Sequence, residues 1–372
     1  MRGKEIEILK KLVSLRSFVD KKNNEKKVAD FIFKYLKQFS FLKVSRQKIS
    51  KDRWNIIAKT KGTQKLFFAG HMDTVLPKNN RPIKVKEKRG RLIGLGALDT
   101  KGGIAALLTA IGEMKEIKNS SFLFYCGEEY DFKGMKNFLD NKTGKIGEIG
   151  IVIEPTDLKI WNAHRGLIEI SFDIEGKRGH AADESSGVSA TKAMMDLLCA
   201  LELYLNNFSH PVLGNSTLNI AFLYGGLRDN SSVSYQGNVI PDFARSVIEI
   251  RTASEKLNAK KISLFLKKEA IKNKVVIKNL LVVHDLGSLF TSEKKLKNIS
   301  KIIHSVVGRA EIISPRKKGY SDGQLISQKK KIPVVYLGPS GRGAHSVDEY
   351  VEKSSLLLLK NVYKKILEEY SN

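Results

Sequence analysis

The sequence has very little cysteine: Cys126 and Cys199 are the only two among 372 residues. Neither has a CxxC partner, which excludes thiolate zinc sites and redox motifs of that kind. Low cysteine usage of this sort is typical of proteins in a reducing cytoplasm, where we expect this protein to act.

Long apolar runs are also missing. No stretch of about 18 or more apolar residues occurs, so the sequence predicts no transmembrane helix. The N-terminal residues 1–7 run straight into a charged amphipathic pattern and lack the apolar core of a signal peptide. We therefore expect a cytoplasmic protein without a membrane partner.

Acidic residues are outnumbered, with 39 Asp and Glu against 65 Lys and Arg and a formal net charge of +26. Nucleic acid, an anionic membrane surface or an acidic substrate could each explain such a charge. The lysines are scattered, however, and no aromatic residues interleave them as single-stranded nucleic acid requires. We expect no nucleic-acid partner and attribute a small part of the charge to steering of an anionic substrate. A nucleic-acid or membrane-surface binder is kept as the remote alternative.

The length and a hydrophobic content of 42% allow a sizeable core and two domains. Continuous apolar runs between helical patterns predict an α/β fold: a mixed, mostly parallel sheet with helices on both faces. Residues 167–286 alternate apolar and polar positions around two helical patterns, which predicts an inserted α+β sandwich. The catalytic domain is then expected to consist of residues 1–166 and 287–372.

Histidine and acidic side chains follow the predicted strands of the catalytic domain. Five strand ends each deliver at least one of them: His71 and Asp73, Asp99, Glu128 and Glu129, Glu154, and His345. Ligands of open α/β sheets bind beyond the carboxyl ends of the strands. Because clustered acids repel one another unless cations neutralise them, the pattern predicts a metal site.

The donor set contains nitrogen and oxygen but no thiolate, which suits zinc or cobalt. Five ligands are enough for two metals that share one carboxylate. Neighbouring residues such as Glu128 and Glu129 cannot easily both point at one metal. The pair therefore indicates that one Glu binds metal while the other moves a proton between water and the leaving nitrogen.

Seven motifs, in order between residues 70 and 345, are similar to those of one known family, and the resemblance runs from about residue 5 to residue 365. They are Gly70-His71-Met72-Asp73-Thr74-Val75, Gly94-x-Gly96-x-x-Asp99-x-Lys101-Gly102-Gly103, Gly127-Glu128-Glu129, Glu154-Pro155-Thr156, Gly237-Asn238-Val239-Ile240-Pro241, Ser321-Asp322-Gly323 and the late His345. The set resembles the co-catalytic zinc amidohydrolases and exopeptidases. That family includes succinyl-diaminopimelate desuccinylase, acetylornithine deacetylase, aminoacylase and the glutamate-releasing carboxypeptidase.

The resemblance implies two bound divalent metal ions, zinc in the first place and cobalt as the alternative. It assigns Asp99 as the bridge between them. It also assigns His71 and Glu154 to one metal, and Glu129 and His345 to the other. Asp73 would orient the imidazole of His71, and Glu128 would act as general base and then general acid.

The same resemblance implies that the insert is a lid through which two copies form a homodimer. The motif around His180 would reach the active site of the partner subunit and stabilise the oxyanion. Asn238 and Arg251 match lid positions that grip the carboxylate of the substrate.

We therefore expect hydrolysis of the amide bond of an N-acyl amino acid. Ser321-Asp322-Gly323 and the basic charge favour a substrate like that of succinyl-diaminopimelate desuccinylase. A reaction like that of acetylornithine deacetylase, or of a dipeptidase or carboxypeptidase of the family, is the alternative. The bulky residues 130–132 depart from the family pattern after the Glu pair, which leaves the shape of the substrate pocket open.

Overall fold

The structure, a computed structural model, describes residues 3–77, 85–141, 146–230, 232–314, 321–346 and 348–372. The chain divides into two compact units. The first is formed by described residues within Met1–Asn162, Phe290–Ile313 and Ser321–Asn372, and the second contains Ala163–Leu289. The predicted insert, residues 167–286, falls within the second unit.

The described residues contain both helices and strands in alternation. The α-helices are α1 (Lys4–Ser14), α2 (Lys26–Leu36), α3 (Lys101–Gly112), α4 (Lys133–Asp140), α5 (Ala190–Leu205), α6 (Ala259–Lys272), α7 (Glu293–Val307), α8 (Gly323–Lys330) and α9 (Lys353–Ser371). The strands are β1 (Lys43–Ser50), β2 (Arg53–Lys59), β3 (Lys61–His71), β4 (Lys86–Lys88), β5 (Arg91–Ile93), β6 (Lys118–Tyr125), β7 (Ile149–Val152), β8 (Ile160–Trp161), β9 (Ala163–His164), β10 (Leu167–Glu175), β11 (Ser209–His210), β12 (Gly214–Asn215), β13 (Thr217–Asp229), β14 (Ser232–Ser234), β15 (Phe243–Arg251), β16 (Val276–Leu286), β17 (Leu289–Phe290), β18 (Ile312–Ile313), β19 (Val334–Tyr336), β20 (Gly341–Arg342) and β21 (Tyr350–Glu352). Within the described part of the chain, none of these helices combines the length and the apolar character needed to cross a membrane.

The central sheet of the first unit has the strand order β1-β2-β6-β3-β7-β19-β8-β18. The inner strands β6, β3, β7 and β19 run parallel to their neighbours within that group, whereas β1 and β2 are antiparallel. Strands buried on both faces read as continuous apolar runs, as the segment 66–70 does. The predicted mixed, mostly parallel α/β sheet is confirmed.

Helices cover both faces of this sheet. Successive side chains of a strand point to opposite faces. Phe67 stacks on Phe138 of α4 with ring centroids 5.7 Å apart, while the next residue, Phe68, meets Tyr363 of α9 at 5.1 Å. Helices α4 and α9 therefore lie on opposite faces.

The first helix is shorter than its sequence pattern indicates. Apolar positions near helical spacing predict a helix over residues 4–19, but α1 ends at Ser14 because Leu15 adopts an extended backbone. The carbonyl of Leu15 accepts a hydrogen bond of 3.0 Å from the buried ammonium of Lys101. The end of α1 is thus fixed by a side chain at the start of α3.

A small second sheet in the first unit has the order β20-β21-β5-β4. The expectation that β5 belongs to the central sheet is wrong, because β5 pairs with β21 and β4 instead. Only Leu92 of its three residues is buried, so β5 lacks the continuous apolar run of an inner strand.

The second unit has an antiparallel sheet in the order β14-β13-β15-β10-β16. Buried side chains of α5 and α6, among them Leu197 and Ile262, pack with those of β10 and β15. The apolar pattern predicts a strand over residues 231–239, of which residue 231 lies outside the described residues. Among the described ones only Ser232–Ser234 forms a strand, because the following residues form a turn in which Val239 N–H donates to Gln236 O.

Candidate metal centre

Three adjacent parallel strands end at the same edge of the central sheet. His71 is the last residue of β3 and pairs with Tyr125, the last residue of β6. On the other side of β3, Ala69 pairs with Val152, the last residue of β7. The residues that follow these ends therefore converge beyond the edge, as the sequence pattern predicts.

Asp99 and His345 come from the small sheet and its connections. Asp99 lies between β5 and the start of α3, and His345 lies in the loop between β20 and β21. Four of the five predicted strand ends, those of β3, β6, β7 and β19, belong to the central sheet. The prediction is wrong for the strand before Asp99, because β5 belongs to the small sheet, and the short strand β20 lies between β19 and His345.

A tight turn brings Asp99 to the end of β3. Gly96 has a φ of +77°, and a Cβ there would lie 2.6 Å from Thr74 Cγ2, so the turn requires glycine. The hydroxyl of Thr100 donates to the carbonyl of His71 at 2.9 Å. The peptide bond between Asp99 and Thr100 is cis.

Four predicted metal ligands lie within contact distance of one another. His71 Nε2 is 3.0 Å from Asp99 Oδ1. His345 Nε2 is 3.4 Å from Asp99 Oδ2 and 2.7 Å from Glu129 Oε1. Asp99 therefore touches both histidines, the position that a bridging ligand must take.

Glu154 completes the acidic side of the cluster. It follows β7 and accepts a hydrogen bond of 3.3 Å from the hydroxyl of Ser321. Burial raises the pKa of Glu154 to about 8, and the charge of Asp99 adds to this shift. Ser321 of the predicted motif thus contacts a ligand candidate directly.

The electrostatics of the cluster favour a cation. Burial acts to raise the pKa of Asp99, but hydrogen bonds from His345 and His71 outweigh it and lower that pKa. The same contacts, to Asp99 and Glu129, raise the pKa of His345 to about 10. Burial, opposed by His71, raises the pKa of Glu128 well above its ordinary value. So many buried acids require positive charge beside them.

The donors fit a pair of divalent cations. Within the described residues, His71, Asp99 and Glu129 each present a ligand atom within 4.8 Å of the others. The second nitrogen of His71, Nδ1, lies 3.5 Å from Asp73 Oδ1, outside hydrogen-bond geometry but on the side opposite Asp99. Imidazole nitrogen and carboxylate oxygen are donors that zinc and cobalt accept.

Asp73 has a second contact that the sequence did not predict. Its fully buried carboxylate accepts three backbone N–H bonds, from Gly127 at 3.1 Å, Glu128 at 3.2 Å and Glu129 at 2.8 Å. Bonds from N–H groups to an ionised acceptor are stronger than neutral ones. Asp73 therefore holds the loop that carries Glu128 and Glu129, besides facing His71.

Arg53 supports the same loop from its other side. Its guanidinium donates to both oxygens of Glu25 at 2.8 and 2.9 Å, and to Asp131 at 2.9 Å. Asp131 is one of the bulky residues that depart from the family pattern after Glu129. The departure has a physical reason here, since Asp131 is the anchor for Arg53. The signal available in the sequence is an arginine at the start of a strand rich in apolar residues, β2.

The remaining predicted site residues all belong to the second unit. His180 and Asn238 are exposed and lie close together, because Ala181 N–H donates to Asn238 O at 2.8 Å. The guanidinium of Arg251 donates to Glu249 at 2.9 Å. Their roles towards substrate stay predictions.

The chain is similar to a known family and to known proteins along most of its length. The sequence model of peptidase family M20/M25/M40 matches residues 67–369. Acetylornithine deacetylase of Buchnera aphidicola subsp. Acyrthosiphon pisum (strain 5A) is 26% identical over 391 residues, which cover 98% of this chain and 97% of that protein. Acetylornithine deacetylase of Vibrio campbellii is 30% identical over 214 residues, which cover 54% of this chain and 56% of that protein.

Solved structures share the fold. Aminopeptidase PepT of Bacillus cereus superposes with a TM-score of 0.78 at 21% identity, covering 100% of this chain and 99% of that one. The YXEP protein of Bacillus subtilis, a dinuclear metal-binding peptidase of family M20, gives a TM-score of 0.68 at 15% identity. The superposition covers 99% of this chain and 97% of that one.

The matched region contains the whole of the cluster around Asp99, from His71 to His345. It spans far more than half of the chain, and it confirms both the expected family and the prediction of a hydrolase. The protein is a member of peptidase family M20/M25/M40.

Proposed function

We propose that the protein hydrolyses the amide bond of an N-acyl amino acid with the help of two divalent metal ions. The observation that carries this proposal is the convergence of His71, Asp99, Glu129 and His345 within 2.7–3.4 Å contacts. Asp99 touches both histidines, so it is the bridging candidate. Glu154 is the fifth ligand candidate, beside His71. Zinc is the first choice of metal and cobalt the alternative.

Bound at these residues, the two cations would polarise the substrate carbonyl and lower the pKa of water. Glu128 takes the proton from the attacking water and delivers it to the departing nitrogen. Its position supports this role, since its backbone N–H is fixed by Asp73 next to the ligand candidate Glu129. A carboxyl group with a raised pKa accepts and releases protons near neutral pH.

The names of the relatives support an N-acetyl amino acid, such as N-acetylornithine, as substrate. They support an N-acetyl substrate better than the N-succinyl substrate that the Ser321-Asp322-Gly323 motif favoured. The N-succinyl compound and dipeptides remain rival substrates that one assay panel separates.

In the second unit, we propose that His180 stabilises the oxyanion and that Asn238 and Arg251 bind the substrate carboxylate. We propose further that this unit joins two copies into a homodimer. Strand β13 supports this, because only residues 227–229 pair with β14, which leaves residues 217–226 with one unpaired edge among the described residues. Apolar side chains are exposed there, including Phe222 and Leu223, and such edges pair with other strands. Cytoplasmic localisation stays a prediction from the cysteine content.

The substitution Glu128→Gln tests the reaction. It removes the proton carrier but keeps the size of the side chain, so turnover of the accepted substrate should fall by about 10²–10⁴-fold. Zinc content, measured by atomic emission, should stay near that of the wild type. Glu116→Gln, at an exposed glutamate with 58% of its side chain accessible, is the matched control and should keep full activity.

The substrate panel consists of N-acetylornithine, N-succinyl-diaminopimelate and simple dipeptides, each assayed with added zinc and with added cobalt. Highest kcat/KM for the acetylated compound supports the proposed substrate. Full activity of Glu128→Gln would refute the assigned role of Glu128. A wild type that hydrolyses none of the amides would refute the proposed reaction.

A further inference from the structure

The loop between β20 and β21 carries a buried acidic residue besides the ligand candidate His345. Glu349, four residues further on, is 1% exposed. Its neighbour Tyr350 begins β21, which pairs with β5 immediately before the turn that leads to Asp99. Glu349 thus stands where the two loops of the small sheet meet.

The carboxylate of Glu349 accepts three backbone N–H bonds from the loop that carries Asp99. Oε2 accepts from Gly96 N–H at 2.8 Å, and Oε1 accepts from Leu98 N–H at 2.8 Å and from Asp99 N–H at 2.9 Å. The backbone carbonyl of Glu349 accepts a fourth bond, from Gly94 N–H at 2.8 Å. One residue therefore fixes both ends of this turn, including the N–H group of Asp99 itself.

A carboxylate is the side chain that this arrangement requires. Three converging donors need an acceptor without hydrogen atoms, and an ionised carboxylate offers about four lone pairs. A glutamine would turn its NH₂ group towards at least one N–H group and leave that donor unpaired. Burial of the charge is costly, and the three charge-assisted bonds offset that cost.

We propose that Glu349 is a positioning residue that holds Asp99 where both metals bind it and ties the Asp99 loop to the His345 loop. This inference rests on the proposed metal centre. Because Asp99 is the proposed shared ligand, the loss of Glu349 should weaken the binding of both metal ions. The loss of a ligand to a single metal, such as His345, should weaken the binding of that metal ion alone.

The test measures zinc affinity directly, by competition with a chromophoric chelator, without any substrate. Glu349→Gln should bind both zinc ions about 10–100-fold more weakly than the wild type, the usual effect of losing a group that orients a ligand. His345→Ala should lose one zinc ion and retain the other.

Two control variants separate positioning from general stability. Glu352→Gln changes a carboxylate of the adjoining strand β21, which pairs with Arg91 at 3.3 Å and is 34% exposed, and it should leave zinc affinity unchanged. Asp173→Asn removes a buried carboxylate of the second unit that pairs with Arg245, and should lower Tm with zinc affinity intact.

The outcomes separate this inference from the proposed function. Zinc affinity of Glu349→Gln within twofold of the wild type would overturn the inference, and so would loss at one site alone. A wild type that binds no zinc would instead refute the metal centre. If Glu349→Gln does not fold, Glu349→Asp carries the same test: its carboxylate is one methylene shorter, so both affinities should fall several-fold, and unchanged affinities would overturn the inference.

Discussion

Two ion pairs of consecutive residues join α2 to the hairpin of β1 and β2, and they differ strongly in burial. Glu25 pairs with Arg53, and both side chains are nearly inaccessible, at 0% and 7%. Lys26 pairs with Asp52, and these side chains are 48% and 45% exposed. The substitution Arg53→Met should therefore destabilise the protein far more than Lys26→Met.

The magnitudes follow from the contacts. Arg53→Met leaves Glu25 buried without its bidentate partner, which costs about 3–5 kcal/mol. It also releases Asp131 from the loop that carries Glu129. Lys26→Met removes an exposed pair that solvent screens, so it should leave the stability almost unchanged. Urea unfolding followed by circular dichroism and by fluorescence of Trp54, the neighbour of Arg53, measures the difference.

The double variant Glu25→Gln with Arg53→Met tests the cause of the loss. It removes the uncompensated charge, so it should be more stable than Arg53→Met alone by at least about 1 kcal/mol. If Arg53→Met and Lys26→Met unfold at the same urea concentration, the reasoning is refuted. Equal stability of the single and double variants would refute the role given to the charge of Glu25.

Two further predictions concern the second unit. Burial acts to raise the pKa of Asp173, but hydrogen bonds from Arg245 and Asn279 outweigh it and lower that pKa. The stabilisation by Asp173 is therefore complete above the ordinary pKa of Asp, about 3.9, and is lost as pH falls through the lowered value. Acid unfolding of Asp173→Asn should lack this pH-dependent contribution, and identical acid profiles of variant and wild type would contradict it. Phe222→Lys places a charge on the unpaired edge of β13 and should convert the proposed dimer into monomers, which analytical ultracentrifugation measures. The control is Leu264→Lys, which changes another exposed apolar residue and should leave the dimer intact. A dimer that survives Phe222→Lys would contradict the assigned interface.

The sequence predicts the inner part of the fold well because burial leaves a simple pattern there. The run from Leu66 to Gly70 could only be an inner strand, and the polar residues after it had to lie at the sheet edge. Helix α3 was predictable for the same reason, since nearly all of its residues are apolar and buried. The ligand candidates His71, Glu129 and Glu154 follow such elements directly.

The small sheet escaped prediction because its strands have only two or three residues each. Asp99 and His345 were recognised by their motifs, but nothing in their local sequence shows that β5 pairs with β21. Glu349 was missed for a related reason. It follows Asp348 in a polar segment, and two successive acids are typical of an exposed loop. Glu349 is buried only because it meets residues 96–99, which lie about 250 positions earlier in the sequence.

The anchors of the two ligand-bearing loops bind backbone and not side chains, which has a consequence for sequence change. Asp73 holds residues 127–129 and Glu349 holds residues 96–99 through N–H groups that every amino acid except proline possesses. Leu98 is buried in the core, so only apolar side chains of similar size fit there, and these keep the N–H group that helps to hold Asp99. We expect Leu98→Met to leave Asp99 in place and Leu98→Pro to displace it, because proline lacks the donor. Loops held in this way keep their metal ligands in place while their apolar side chains are exchanged for others of similar size.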